Sequence, residues 1–94
     1  MGSEKKPPVN DNQAVAVFDT THETLKAERF FRQNKIPFKP IVKPRGIESQ
    51  CGMAERIEKP DADQVISLSR ENHLNLLGIY TVGLEGQWDL WKSP

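Results

Sequence analysis

The longest unbroken apolar run in the chain is Ala14-Val15-Ala16-Val17-Phe18. It is too short for a helix and suits a central strand covered on both faces. Asp19-Thr20-Thr21-His22-Glu23 follows it. Thr20 with Glu23 three residues on is a capping-box pattern, so a helix starts directly after the strand. Ala27, Phe30 and Phe31 repeat at helical spacing with Leu25 on the flank, and Glu28, Arg29, Arg32 and Gln33 give the solvated face. Pro37 ends the helix near Asn34-Lys35.

Phe38 to Lys43 reads as a second strand. Pro40 removes a ladder donor there, so this strand belongs at a sheet edge. Pro44 to Gln50 is a loop containing Gly46, and Gly52 to Glu58 is a third strand. Asp61 with Gln64 is a second capping pattern, and Ala62, Val65, Ile66 and Leu68 supply the buried side of a helix that fades near Asn72-His73. Leu76 to Val82, interrupted by Gly78, is a fourth strand. The order strand, helix, strand, strand, helix, strand predicts an α+β ferredoxin-like βαββαβ fold. Right-handed crossovers then give a four-stranded antiparallel sheet of order 4-1-3-2, with both helices on one face. Residues 1–12 read as a disordered tail, 13–83 as the domain, and 84–94 as an extension carrying Trp88, Leu90 and Trp91.

Several function classes are disfavoured. Thirteen Lys and Arg balance 13 Asp and Glu, so the basic excess of a nucleic-acid binder is missing. No apolar run approaches the ~18 residues of a membrane span, and no charged-then-apolar leader marks secretion. The default is a cytoplasmic domain. One cysteine, Cys51, allows no internal disulfide and no multi-cysteine zinc site. No spacing of ligands argues for a metal or another cofactor, and no nucleophile–base pair or phosphate loop argues for a stand-alone enzyme. The folded part, roughly 70 residues, is marginal alone, so a partner protein or a homodimer is the expected support.

In the expected topology strands 1 and 3 are neighbours, and the loop before Cys51 lies at the end where helix 1 starts. Cys51, Arg45, His22 and His73 then gather at one end of the sheet. Two readings of Cys51 stand. It is a small buried hydrophobe with an inert thiol, or its thiolate is stabilised by the helix start and a nearby cation and is reactive. A charge on Glu48 would oppose that activation. Glu55 falls in phase with Met53 and Ile57, and pointing inward it would need a cationic partner or a proton. His22 reads as a solvated first-turn residue or as a proton donor near Cys51, and His73 as an exposed helix end. Lys35, Lys39, Lys43 and Arg45 form a sparse basic series that either guards an edge or docks an acidic partner.

Together, Phe18-Asp19-Thr20-Thr21-His22, Leu25-Lys26-Ala27-Glu28, Ile36-Pro37-Phe38, Pro44-Arg45, Ser49-x-Cys51-Gly52 and Gly78-Ile79-Tyr80 resemble the putative selenium/sulfur carrier-like family of small bacterial domains. The resemblance spans about residues 14 to 82. It implies that Cys51 carries sulfur or selenium as a persulfide or perselenide between a donor and an acceptor protein, with Arg45 and Gly52 beside it. Such transfer is stoichiometric, so the chain would not be an enzyme in its own right. A reading from a different class is a protein-interaction or redox-regulatory module. It would bind a partner through the open sheet face or through Trp88 and Trp91.

Overall fold

A computed structural model describes residues 8–94. The elements are β1 (Gln13–Phe18), α1 (Thr21–Gln33), β2 (Phe38–Val42), β3 (Met53–Glu58), α2 (Ala62–Glu71), β4 (Leu76–Val82) and β5 (Trp88–Lys92). They form one antiparallel sheet of order β2-β3-β1-β4-β5. The expected four-stranded ferredoxin-like sheet of order 4-1-3-2 is therefore corrected to five strands. The chain reverses after β4, where Gly83 N donates to Gln87 O at 2.7 Å and Gly86 takes φ +84°. Trp88–Lys92 then pairs with β4. Part of the segment read as an extension is thus the second edge of the sheet, and β2 with Pro40 is the other.

β1 is buried along Ala14–Phe18 on both faces. On one face Ala14, Ala16 and Phe18 meet Ala27 and Phe31 of α1 and Ala62 and Val65 of α2. Phe31 sits between Phe18 and Phe38, with ring centroids 6.5 and 5.5 Å away. On the other face Val15 and Val17 pack with Val9, Ile47 and Ala54, and Trp88 packs at the margin. That face is therefore partly covered by the chain before β1 and by the loop after β2. Residues 1–7 of the expected tail lie outside the described residues. Val9, from the remainder, is buried.

α1 opens as its sequence directs. Thr20 is extended and its side chain accepts from Glu23 N. Glu23 does not close the box on Thr20 N. Its Oε2 accepts from Asn75 N at 2.9 Å and ties the helix start to the chain entering β4. The second capping pattern does not form. Lys59–Asp61 is a 3₁₀ turn with Pro60 inside it, so Asp61 already has helical φ and ψ and makes no side-chain cap bond. An N-cap acceptor needs the extended backbone that this turn removes.

Both helices end in the same motif. Ile36 N donates to Phe31 O and Leu74 N to Ser69 O, which leaves Lys35 at φ 57° and His73 at φ 56°. These are Schellman closures, whose left-handed position favours glycine. His73 is exposed there. We expect Lys35→Gly and His73→Gly each to raise unfolding free energy by roughly 0.5–1 kcal/mol, measured by urea denaturation. A loss at both positions would contradict the assigned backbone.

Candidate thiol site at the start of α1

The loop from Lys43 to Gly52 straddles the end of the sheet. Ile47 drops into the cluster beneath one face, while Cys51 turns to the helix face. Gly46, at φ +95°, makes the bend that allows this. The loop's ends are clamped by Lys43 N donating to Gly52 O at 2.9 Å. Inside it, Lys43 Nζ donates to Ser49 O and Ser49 Oγ, at 2.9 and 3.1 Å. Ser49 Oγ in turn accepts from Cys51 N and donates to Cys51 O. Lys43 and Ser49 thus fix the backbone that presents the sulfur.

Cys51 is free and 1% exposed. Its Sγ lies 3.4 Å from Thr21 Oγ1 and 3.4 Å from Thr24 Oγ1, both in the first turns of α1. Met53 N donates to Sγ at 3.3 Å. The two hydroxyls are not equivalent. Thr24 Oγ1 also donates to Thr20 O, so its single proton is already engaged when the sulfur is a thiol. Thr21 is exposed and has no such commitment among the described residues. Burial is the largest influence on the thiol and raises its pKa. The bonds from Thr21, Thr24 and Met53, with the charge of Lys43, oppose it and together win, so the pKa lies below the ordinary cysteine value.

Glu55 is fully buried on the same helix-facing side of β3, opposite Ala16 and Pro40. Neither of its oxygens has a hydrogen-bond partner, nor has Glu28 Oε2. Glu28 was expected on the solvated face of α1. It is instead 6% exposed, in the stripe Thr24, Ala27, Glu28, Phe31, and its other oxygen lies 3.5 Å from Arg32. Burial first, and then the Glu28 carboxyl, push Glu55 up to about 9. Ionised carboxyls only accept hydrogen bonds. A proton on Glu55 supplies the donor that the arrangement needs.

Arg45 and His22 are exposed. Among the described residues neither side chain hydrogen-bonds the sulfur. Gly52 is exposed, and a Cβ built there would meet nothing within 4 Å. Glu48 is exposed, and the charge that acts on the thiol is that of Lys43. Trp88 packs at the sheet face, whereas Trp91 is 39% exposed with Lys59 and Lys92 over its ring. Thr24 was not singled out in the sequence. Its signal was the spacing from Thr21, which puts both hydroxyls on one side of the helix. Among the described residues no group of three His, Cys, Asp or Glu side chains is placed to hold a metal, and no helix is long and apolar enough to cross a membrane.

The model of the putative Se/S carrier protein-like family matches residues 13–81. No curated protein and no solved structure matches the chain.

Two outcomes are expected. Thr21→Val raises the Cys51 pKa, read from the Cys51 Cβ shift by NMR titration, with little change in stability because the residue is exposed. An unchanged pKa would remove Thr21 from the site. Glu55 binds its proton more tightly folded than unfolded, so folding loses stability as pH rises from the ordinary 4.5 towards about 9. The loss is up to about 1.4 kcal/mol per pH unit. Glu55→Gln abolishes that slope, and urea melts at several pH values check it.

Proposed function

The chain belongs to the putative Se/S carrier protein-like family, and from that premise we propose that Cys51 holds a sulfur or selenium atom in transit between a donor and an acceptor protein. The observation that carries this reading is the polar surround of Sγ, to which Met53 N donates and which has the Thr21 and Thr24 hydroxyls each 3.4 Å away. These contacts favour the anion, and the thiolate is the nucleophile.

In the sulfur case the Cys51 thiolate attacks the terminal sulfur of a donor persulfide. A new S–S bond forms at Cys51, the donor's own S–S bond breaks, and the donor leaves as a thiolate. The transferred sulfur keeps its proton as it moves to Cys51, so no external oxidant or reductant is required. Delivery is the same step in reverse, towards an acceptor thiolate. Cys51 is then the leaving group, and the polar contacts that assisted its attack, Met53 N and the Thr21 hydroxyl first among them, stabilise its departure. Selenium follows the same course as a perselenide. The role is stoichiometric, so no enzymatic turnover is assigned to the chain alone.

The sulfur is covered, so transfer requires the Lys43–Gly52 loop to lift. Gly46 is its flexible point. Gly52 leaves open space beside the thiol into which a partner's backbone can come. Arg45, exposed in the same loop, is assigned to the terminal anion or to an acidic partner, and His22 to protonation of the terminal sulfur. A cytoplasmic setting suits a thiol kept free for this chemistry. A docking role at the other end of the sheet is favoured by Leu90 and Trp91, 53% and 39% exposed on the edge strand. It is compatible with the carrier.

Incubation of the native protein with a small persulfide donor should add one sulfur atom at Cys51 by intact mass. A thiol acceptor should remove it, and Cys51→Ser should not load. Thr21→Val should slow loading by roughly tenfold, the worth of one charge-assisted hydrogen bond. A native chain that does not load while the unfolded chain does would overturn the carrier.

A further inference from the structure

α1 and β3 close on a polar seam. The α1 side presents Thr21 and Thr24 against the sulfur, then Glu28, then Arg32 at the solvent end. On the other side Cys51 lies in the loop just ahead of β3 and Glu55 within β3, with Met53 between them on the same face. Around it the core is apolar, with Ala16, Ala27, Phe31 and Ile57 all buried. Three carboxyl oxygens in this seam lack partners, two of them on a side chain with no exposed surface. Such an arrangement is costly unless the groups serve something nearby. What lies along the seam is the thiol.

We propose that Glu55 is the positioning residue of the Cys51 site, a neutral acid whose proton is shared with Glu28 and whose neutrality lets a thiolate form farther along the same seam. The inference rests on reading Cys51 as a reactive thiol. The charges facing Glu55 are the Glu28 carboxyl and the Arg32 guanidinium from α1 and the Cys51 sulfur from the loop. Its cross-strand neighbours on β1 and β2, Ala16 and Pro40, are uncharged. Burial and then the Glu28 carboxyl oppose ionisation of Glu55, the Cys51 sulfur adds a smaller push in the same direction, and only Arg32, 65% exposed at its side chain, favours it. Coupling is reciprocal. If a thiolate disfavours the Glu55 anion, a Glu55 anion disfavours the thiolate by the same factor. A neutral Glu55 therefore leaves the thiol free to give its proton to solvent, and an ionised Glu55 holds that proton back. In alkaline solution loss of both protons puts two anions into one low-dielectric seam and works against both.

Carbon NMR follows the two groups separately, at Cys51 Cβ and Glu55 Cδ, without requiring access to the sulfur. In the wild type the Glu55 carboxyl should be protonated at neutral pH, and the Cys51 curve should be broader than a single-proton titration. In Glu55→Gln the Cys51 curve should narrow to one proton and its midpoint should move to lower pH. Superimposable Cys51 curves, or a Glu55 carboxyl already ionised at neutral pH, would overturn the proposal. The second readout needs no variant, so it decides the matter even if Glu55→Gln does not fold. Sulfur loading run on the same samples separates the two readings. A coupled titration without loading removes the carrier and leaves this inference, and loading with superimposable curves does the reverse.

Discussion

β1 is buried on both faces, and most of the molecule is arranged to cover it. Its helix-side residues Ala14, Ala16 and Phe18 need α1 and α2, and its other side, Val15 and Val17, needs Val9 and Ile47. The last of these is decisive for the site. Ile47 can reach Val17 only if the loop after β2 bends over the end of the sheet. That bend sets the following residues, down to Cys51, against the first turn of the helix that β1 itself launches. The hydrophobic demand of one strand thus places the thiol among the hydroxyls of α1.

The chemistry of the sulfur is a contest between burial and polarity. Withdrawal from water favours the neutral thiol, and three short contacts with a nearby lysine favour the anion. At Glu55 the same contest has the opposite outcome, because burial and the Glu28 carboxyl act together and only an exposed arginine opposes them. Two acids in one seam are pushed in opposite directions. That is the pattern by which a site keeps one acid ionisable and the other neutral.

Much of the fold was legible in the chain. The β1 run, the Thr20 cap, the edge position implied by Pro40 and the loop containing Gly46 all rest on local rules, and local rules govern those places. β5 was missed because Trp88–Lys92 carries a charge at Asp89 and Lys92 and is short. It becomes a strand only because β4 offers it an unpaired edge. The cap at Asp61 was lost to the 3₁₀ turn around Pro60, which local pattern does not distinguish from an ordinary helix start. At the site, Cys51 itself was conspicuous as the single cysteine. Thr24 was not, and Lys43 and Ser49 stood out only as part of a basic series and of the Ser49-x-Cys51-Gly52 motif, because the contacts by which they act exist only after the loop has folded. Glu28 reads as a solvated charge in sequence, and only the approach of β3 encloses it. Glu55 stood out at once, since its phase in β3 put an acid where an apolar residue belongs.

A carrier thiol has to be more acidic in the folded chain than in the unfolded one, and it has to be within reach of solvent without global unfolding. The most direct test is the rate of Cys51 alkylation against pH, measured on the native protein and on the same chain in denaturant. The structure predicts that the native thiol titrates at lower pH than the unfolded one and reacts faster than the protein unfolds. A native pKa equal to or above that of the unfolded chain, or a reaction limited by the unfolding rate, would make Cys51 a packed core residue and contradict the account.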